Sequence, residues 1–143
     1  MRNLLIIVVL IVTGISLSGD LRLEDSNYRT LAYIRDNGRI ENASFETLGY
    51  VRDGCTRIED ASFHTLGYFD GKIIENENYD ELYSLADDGR LTDDRFRMVA
   101  RITSDGTVED DLFNVILYTE GTDSHMQKKI AAYLVFFSDQ LPE

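Results

Sequence analysis

Carboxylates are the most abundant side chains in this sequence that could do chemistry. The chain has 26 Asp and Glu against 14 Lys and Arg, a net charge of −12. Two carboxylates that converge in a cleft with separated pKa values would suit hydrolysis of a glycoside. Pairs of Glu with Asp or Asn also recur along the chain and could gather cations: Glu24-Asp25, Glu41-Asn42, Glu59-Asp60, Glu75-Asn76 and Glu109-Asp110.

The placement of these acids favours structural roles. Several stand in or beside turn-forming pairs with glycine, where solvated Asp is common: Asp36, Asp53, Asp70, Asp88 and Asp105. No calcium loop of the EF-hand type is present, and neither His64 nor His125 has a Cys or His at ligand spacing. The sequence therefore predicts no catalytic, cofactor-binding or metal-binding residue. A carboxylate-dependent, glycosidase-like hydrolase remains the alternative.

Cys55 and the net charge exclude further classes of function. Cys55 is the only cysteine, so no disulfide forms within the chain, and its acidic neighbours do not suit a reactive thiolate. Nucleic-acid binding needs clustered Lys and Arg to neutralise phosphates. We therefore expect no nucleic-acid partner. We also expect no membrane insertion of the mature chain, which is predicted below to begin at Gly19.

Three tyrosines form the one candidate binding surface. Tyr33, Tyr50 and Tyr68 occupy the same position in three copies of a repeat. If their face is exposed, aligned rings would make a platform on which glycans or peptides stack. The alternative is a cross-strand ladder within the core.

The repeat indicates how such residues are positioned. Residues 38–51 return as residues 56–69 with ten of the fourteen positions identical. An aromatic recurs six times at spacings of 17, 18, 16, 17 and 17 residues: Tyr28, Phe45, Phe63, Tyr79, Phe96 and Phe113. Three residues before it stands an Asp or Asn: Asp25, Asn42, Asp60, Asn76, Asp93 and Asp110. Three residues after it stands an aliphatic: Leu31, Leu48, Leu66, Leu82, Val99 and Ile116.

Five turn signals divide the repeat into hairpins. They are Asn37-Gly38, Asp53-Gly54, Asp70-Gly71, Asp88-Gly89 and Asp105-Gly106. Asn-Gly and Asp-Gly between apolar runs mark hairpin turns because both residues tolerate positive φ. Where the loop has three residues ending in Gly, the predicted apolar pairs are Ile34 with Ile40, Leu85 with Leu91, and Ile102 with Val108. The segments between hairpins are expected to be bends held by Asp and Asn side chains.

Hairpins this small must pack on each other, either as a linear solenoid or as a closed ring. We predict an all-β fold in which tandem short β-hairpin repeats close into a flower- or propeller-like ring of about five petals. Residues 130–137 form a continuous apolar run, predicted to be a buried closing strand. Residues 21–24 are expected to help close the ring.

The N-terminus has the three-part pattern of a signal peptide. Arg2 precedes an apolar run, and Ser16 and Ser18 provide the small residues of a cleavage site before Gly19. We predict a signal peptide at residues 1–18 and a single repeat domain at 19–143. Cleavage near Ser18-Gly19 would release the protein to the periplasm, cell surface or medium. The alternatives are a retained N-terminal anchor or a buried first strand.

The repeat resembles that of the five-fold β-flower proteins, which are small exported proteins of Bacteroides-type bacteria. The residues that carry the resemblance are 104–110 (Ser-Asp-Gly-Thr-Val-Glu-Asp), 45–50 (Phe-Glu-Thr-Leu-Gly-Tyr) and the terminal apolar run. The fourth to sixth copies depart from it, with Tyr83-Ser84, Ala100-Arg101 and Leu117-Tyr118 where Gly-Tyr is expected. The resemblance implies the fold and export, and brings no catalytic or binding residues with it.

The expected function is therefore a non-catalytic exported binding or structural module. Its partner would be a protein or a glycan recognised on the surface of the ring, and no cofactor is expected.

Overall fold

A computed structural model describes residues 19–143, which form twelve β-strands and one α-helix. The strands are β1 (Leu21–Asp25), β2 (Thr30–Ile34), β3 (Arg39–Asn42), β4 (Thr47–Arg52), β5 (Arg57–Asp60), β6 (Thr65–Phe69), β7 (Ile73–Asn76), β8 (Glu81–Leu85), β9 (Arg90–Asp93), β10 (Met98–Ile102), β11 (Val108–Glu109) and β12 (Val115–Glu120). The helix α1 spans Met126–Phe136. The predicted signal peptide lies outside the described residues.

The strands form one closed antiparallel barrel in which each strand pairs with its neighbours in the chain. β1 closes the ring by pairing with β12, so that Leu23 lies opposite Thr119. The predicted all-β closed ring is confirmed. Five hairpins (β2–β3, β4–β5, β6–β7, β8–β9 and β10–β11) are joined by turns, and the two ends of the sheet supply a sixth pair.

The predicted register is confirmed in the three hairpins for which apolar pairs were named. Ile34 pairs with Ile40, Leu85 with Leu91, and Ile102 with Val108. Because side chains alternate between the two faces of a strand, this register sends the paired aliphatic residues inwards. All of these residues are buried in the barrel core.

The recurring aliphatic residue marks a β-bulge in every copy. Ile40 pairs with Gly49 and Glu41 pairs with Thr47, which leaves Leu48 without a partner opposite it. The register shifts in the same way at the other five copies. A bulge bends the strand and increases its twist, so six evenly spaced bulges help the sheet to curve into a closed barrel.

The two ends of the barrel differ in the residues that reverse the chain. We call one end the glycine rim, where the turns after β2, β4, β6, β8 and β10 hold positive-φ glycines: Gly38, Gly54, Gly71, Gly89 and Gly106. We call the other end the aromatic rim, which consists of the six connectors after β1, β3, β5, β7, β9 and β11. Each of these connectors contains one of the six recurring aromatics.

The prediction of a closing strand at residues 130–137 is wrong, because residues 130–136 belong to helix α1 and Phe137 caps its end. Six consecutive residues of α1 (129–134) are buried. Such a run covers the whole circumference of a helix, so α1 is enclosed by the barrel. Its first residues contact the glycine rim, where Gln127 Nε2 donates to Ile102 O at 2.9 Å. Within residues 19–143 no helix is long and apolar enough to cross a membrane.

The closed sheet explains why this segment is helical. Every strand already has two neighbours, so an additional strand inside would leave its backbone N–H and C=O groups unpaired. A helix satisfies these groups internally. Twelve strands about 4.8 Å apart enclose a backbone cylinder of at least about 9 Å radius, which has room for a helix about 5 Å in radius.

Small residues on β4 and β6 make room for the end of the helix. A Cβ at Gly67 would lie 2.6 Å from Phe136 Cζ, and one at Gly49 would lie 2.6 Å from Phe137 Cζ. The same Cβ atoms would also stand 2.1 Å and 2.2 Å from backbone carbonyls of the next strand. These glycines are therefore required by close packing rather than by a turn.

Gly67→Ala should destabilise the protein by about 1–3 kcal/mol, because the added methyl overpacks the contact with Phe136 and β7. Urea unfolding followed by circular dichroism measures the change. The matched control is Ala32→Gly at the corresponding position of β2, which removes a methyl instead of adding one and should cost about 1 kcal/mol or less. A Gly67→Ala variant as stable as the parent would contradict the axial packing of α1.

Candidate binding surface

The connectors of the aromatic rim are tight hairpin turns with an aromatic where glycine is usual. In the first, Tyr28 N donates to Asp25 O at 2.9 Å and Asp25 N donates to Arg29 O at 2.9 Å. The turn after β2 on the glycine rim has the same pair of bonds, with Gly38 in the place of Tyr28. Both are type I turns followed by a residue of positive φ. The sequence prediction treated these connectors as bends, whereas they are hairpin turns.

All six rim aromatics have left-handed backbone conformations, with φ between 60° and 66°. This region disfavours a bulky L-residue by about 1–2 kcal/mol. Their side chains are also 60–89% exposed. The rim therefore holds six aromatic rings in a strained backbone conformation while burying little of their apolar surface.

The Asp or Asn that starts each connector stabilises this conformation. Asp25 Oδ1 accepts from Asn27 N at 2.8 Å and from Arg29 N at 3.0 Å. The other five copies make the same two bonds, with lengths of 2.8–3.0 Å. Satisfying two backbone donors of the turn offsets part of the strain.

The same Asp or Asn also pairs with the side chain that follows the aromatic, and the two are chemically matched. Asp25 pairs with Arg29 at 2.7 Å and Asp93 pairs with Arg97 at 2.6 Å. Where the first residue is Asn, the second is acidic, as in Asn42 Nδ2 donating to Glu46 Oε2 at 2.7 Å. Each rim aromatic is thus flanked by a polar pair, a regularity that is visible in the sequence but did not enter the prediction.

The predicted tyrosines lie on the outer wall, where rim aromatics cover them. Tyr33, Tyr50 and Tyr68 stack on Phe45, Phe63 and Tyr79, with ring centroids 5.1, 5.0 and 4.7 Å apart. They are half-buried, so they belong neither to the barrel core nor to a fully open platform. The rim partners, which are 60–65% exposed, present the accessible rings.

A fourth pair, Tyr28 with Tyr118 at 4.9 Å, completes the set. Tyr118 was not among the predicted tyrosines, because Leu117, rather than glycine or alanine, precedes it. In the two tyrosine pairs a hydrogen bond between the partners raises the pKa of Tyr79 and of Tyr118.

Arginines extend two of the stacks along the wall. Arg52 lies 4.2 Å from the ring centroid of Tyr50, and Arg35 lies 4.9 Å from that of Tyr33. Arg35 Nη2 also contacts Glu41 Oε2 at 2.6 Å, and Arg39 Nη2 contacts the other oxygen of Glu41 at 2.7 Å. Guanidinium, tyrosine and rim aromatic thus form a continuous layer above a buried, neutralised carboxylate.

The carboxylates of the rim are poorly suited to general acid catalysis. Hydrogen bonds from the backbone N–H four residues on are the main cause of the lowered pKa values of Asp25, Asp60 and Asp93. At Asp110 the main cause is the side-chain amide of Asn114. A general acid at neutral pH needs a raised pKa instead.

A cleft of about 780 Å³ opens on the glycine rim beside the start of α1. Cys55 and His125 line it, together with Lys129, whose Nζ contacts Asp123 Oδ2 at 2.7 Å. Burial raises the pKa of the Cys55 thiol, which is opposite to what a nucleophilic thiolate requires. Among residues 19–143 no group of three or more His, Cys, Asp or Glu is placed to hold a metal ion.

The lowered pKa values predict a loss of stability in acid. A carboxyl whose pKa is lower in the folded chain stabilises it fully above the unfolded value near 3.8, and this contribution is lost as the pH falls through the folded pKa. Replacing Asp25, Asp60, Asp93 and Asp110 by Asn should flatten the dependence of stability on pH between about 4 and 2. The chain itself uses Asn42 and Asn76 at this position.

Urea unfolding at several pH values tests this prediction. The control replaces the same four residues by Ala, which removes the turn bonds and should destabilise the protein at every pH. An unchanged acid transition in the Asn variant would show that other carboxylates dominate.

The strain at the rim predicts that glycine stabilises a position where the ring has no stacking partner. Phe96 has no stacked ring and is 89% exposed. Phe96→Gly should therefore raise the free energy of unfolding by about 1 kcal/mol. Phe63→Gly relieves similar strain but loses the stack on Tyr50, worth about 0.5–1.5 kcal/mol, so its net gain should be smaller or absent. Equal gains at both positions would argue against a stabilising stack.

The comparison with known families agrees with this architecture. A model of the 5-fold beta-flower protein family matches residues 17–137, which includes every strand and all of α1. Searches of curated proteins and of solved structures returned no match. The twelve-stranded repeat barrel and the extent of the match together place the chain in the 5-fold beta-flower protein family.

Proposed function

We propose that this protein is a non-catalytic exported module that binds glycans on its aromatic rim. The observation that carries the proposal is the set of six exposed aromatics held at φ of 60–66°. Glycine would make the same turn without strain, as it does on the opposite rim. Strain maintained at exposed positions is more readily explained by a function of the rings than by stability.

The chemistry of the rim suits a sugar. The negative face of an aromatic ring attracts polarised C–H bonds, and one face of a pyranose presents such bonds. Polar pairs such as Asp25–Arg29 and Asn42–Glu46 stand beside the rings and can exchange hydrogen bonds with hydroxyl groups. A protein partner would favour a continuous apolar patch, whereas successive connectors are two strands, or roughly 10 Å, apart.

Other features support binding rather than catalysis. The rim aspartates have lowered pKa values, and Glu41 and Glu59 are each neutralised by two arginines. The hydrolase alternative would need one carboxyl with a raised pKa near a second that is ionised. Export is proposed from the pattern of residues 1–18, and the high acidity is compatible with a soluble exported protein.

The test is glycan binding by a chain that begins at Gly19. The parent should bind a subset of immobilised polysaccharides and oligosaccharides, and isothermal titration should confirm the hits in solution. Replacing Phe45, Phe63 and Phe96 together by Ser should reduce affinity by about tenfold or more, since stacking contacts are lost. The control is Asp87→Ser, an exposed change on the glycine rim that should leave binding unchanged.

Two further measurements separate the outcomes. Tyr33, Tyr50 and Tyr68 replaced by Ser should weaken binding through lost support of the rim rings, and circular dichroism shows whether the barrel remains folded. The intact mass of the protein recovered after expression of the full chain shows whether residues 1–18 are removed. No glycan bound by the parent, or equal binding by the rim variant, would contradict the proposed function.

A further inference from the structure

The outer wall breaks the repeat at one place in a way that opens a binding slot. The residue two positions after each bulge residue lies on the outer wall, where it can stack against a rim aromatic. Four copies have tyrosine there: Tyr33, Tyr50, Tyr68 and Tyr118. The other two have Ser84 and Arg101, so two rim aromatics have no tyrosine to stack on.

The copy with Ser84 keeps the rest of the connector unchanged. Phe96 has a φ of 62°, and Asp93 Oδ1 accepts from the N–H groups of Arg95 and Arg97 at 2.9 Å each. The backbone of Phe96 therefore has the same conformation as that of Phe45 and Phe63. Phe96 is nevertheless 89% exposed, compared with 60–67% for the other five rim aromatics. Phe113, whose wall position holds Arg101, also has no tyrosine partner and is 63% exposed, so the high exposure is particular to the copy with the small Ser84.

Two hydroxyl groups occupy the part of the wall where the stacked copies have tyrosine. Ser84 lies opposite Thr92 in the pairing of β8 with β9, and their hydroxyl oxygens are 2.6 Å apart. Tyr33 lies opposite Glu41 at the corresponding pair in the first hairpin. The slot thus combines an open aromatic face with neighbouring hydroxyls that can donate and accept hydrogen bonds.

A groove continues from the same connector. It has a volume of about 410 Å³ and is lined by Asp94, Arg95 and Arg97, together with the C-terminal Pro142 and Glu143. Its charged side chains could contact further residues of a longer ligand.

We propose that Phe96, Ser84 and Thr92 form the principal subsite of the rim and bind one pyranose residue. The sugar ring takes the place that tyrosine fills in four other copies, with its C–H face on Phe96 and its hydroxyls toward Ser84 and Thr92. This inference rests on the proposed glycan-binding function and narrows it to one of the six connectors.

The experiment uses methyl pyranosides of glucose, galactose, mannose and N-acetylglucosamine as probes, with the protein labelled at its phenylalanine rings. NMR titration should shift the Phe96 ring saturably with at least one probe, and more than the rings of Phe45 and Phe63. Ser84→Tyr should abolish this shift or weaken it by about tenfold or more, because the new ring occupies the slot. The same substitution should raise thermal stability, which distinguishes a filled slot from misfolding.

The matched control is Arg101→Tyr, which adds a ring at the other wall position without tyrosine and should leave the Phe96 titration unchanged. Phe96→Leu, which keeps an apolar side chain but removes the flat ring, should lose binding even if Ser84→Tyr does not fold. If Ser84→Tyr and Phe96→Leu bind like the parent while the triple rim variant loses glycan binding, the subsite is wrong and the proposed function stands. If the parent binds no glycan, both are wrong.

Discussion

Every turn between neighbouring strands of this barrel contains at least one residue with positive φ. The barrel is a meander of antiparallel strands, and the turns that hold Gly38, Gly89 and Gly106 close with the same pair of bonds as the six turns of the aromatic rim. Glycine meets this requirement at one rim without strain, although the turn after β4 also holds Asp53 and Cys55 at positive φ. The other rim uses Phe or Tyr, and there the Asp or Asn side chain and, in four copies, a stacked tyrosine stabilise the turn. The two rims therefore differ in amino-acid composition, although the turns of both use residues with positive φ.

Closure of the barrel creates an interior that must be filled by other residues of the chain. β1 and β12 pair at the seam, and the chain then turns at Gly121, whose φ is 108°, and continues into α1. Once inside, a segment has no sheet edge to join, so only a structure that pairs its own backbone can be buried there. Gly49 and Gly67 lack side chains where the rings of Phe137 and Phe136 pack against the sheet. The closed sheet thus favours a helix in its interior, and the glycines of the sheet leave room for the end of that helix.

Much of the fold could be predicted because the repeat is expressed in local signals. Asn-Gly and Asp-Gly located the turns, and the apolar pairs fixed the register. Residues 130–137 were misassigned because a short apolar run fits a buried strand and a buried helix equally well. What decides between them is the closed sheet around the segment, which is a tertiary property. The Ala131-Ala132 pair and the preceding Gln127 and Lys128 are good helix formers, but that preference is weak.

The candidate surface was predictable only in part, for a different physical reason. Hairpin turns are recognised by glycine at the positive-φ position, so turns with Phe45 or Phe63 there do not resemble hairpins in sequence. Tyr33, Tyr50 and Tyr68 were noticed because they are identical. Their rim partners were treated as spacing markers although they recur in all six copies. Stacking between residues 11 to 13 positions apart follows from register and turn geometry together, and neither alone predicts it.

The departures from symmetry bear most directly on function. A ring of identical copies offers several equal and weak contacts, which suits an extended ligand that gains affinity by engaging more than one. A copy that differs can add preference for one chemical group. At Phe96 the turn retains the backbone strain of its neighbours without the tyrosine that stabilises four of them. The bonds of Asp93 offset only part of this strain. The proposed contact of Phe96 with a sugar would give the remaining strain a function.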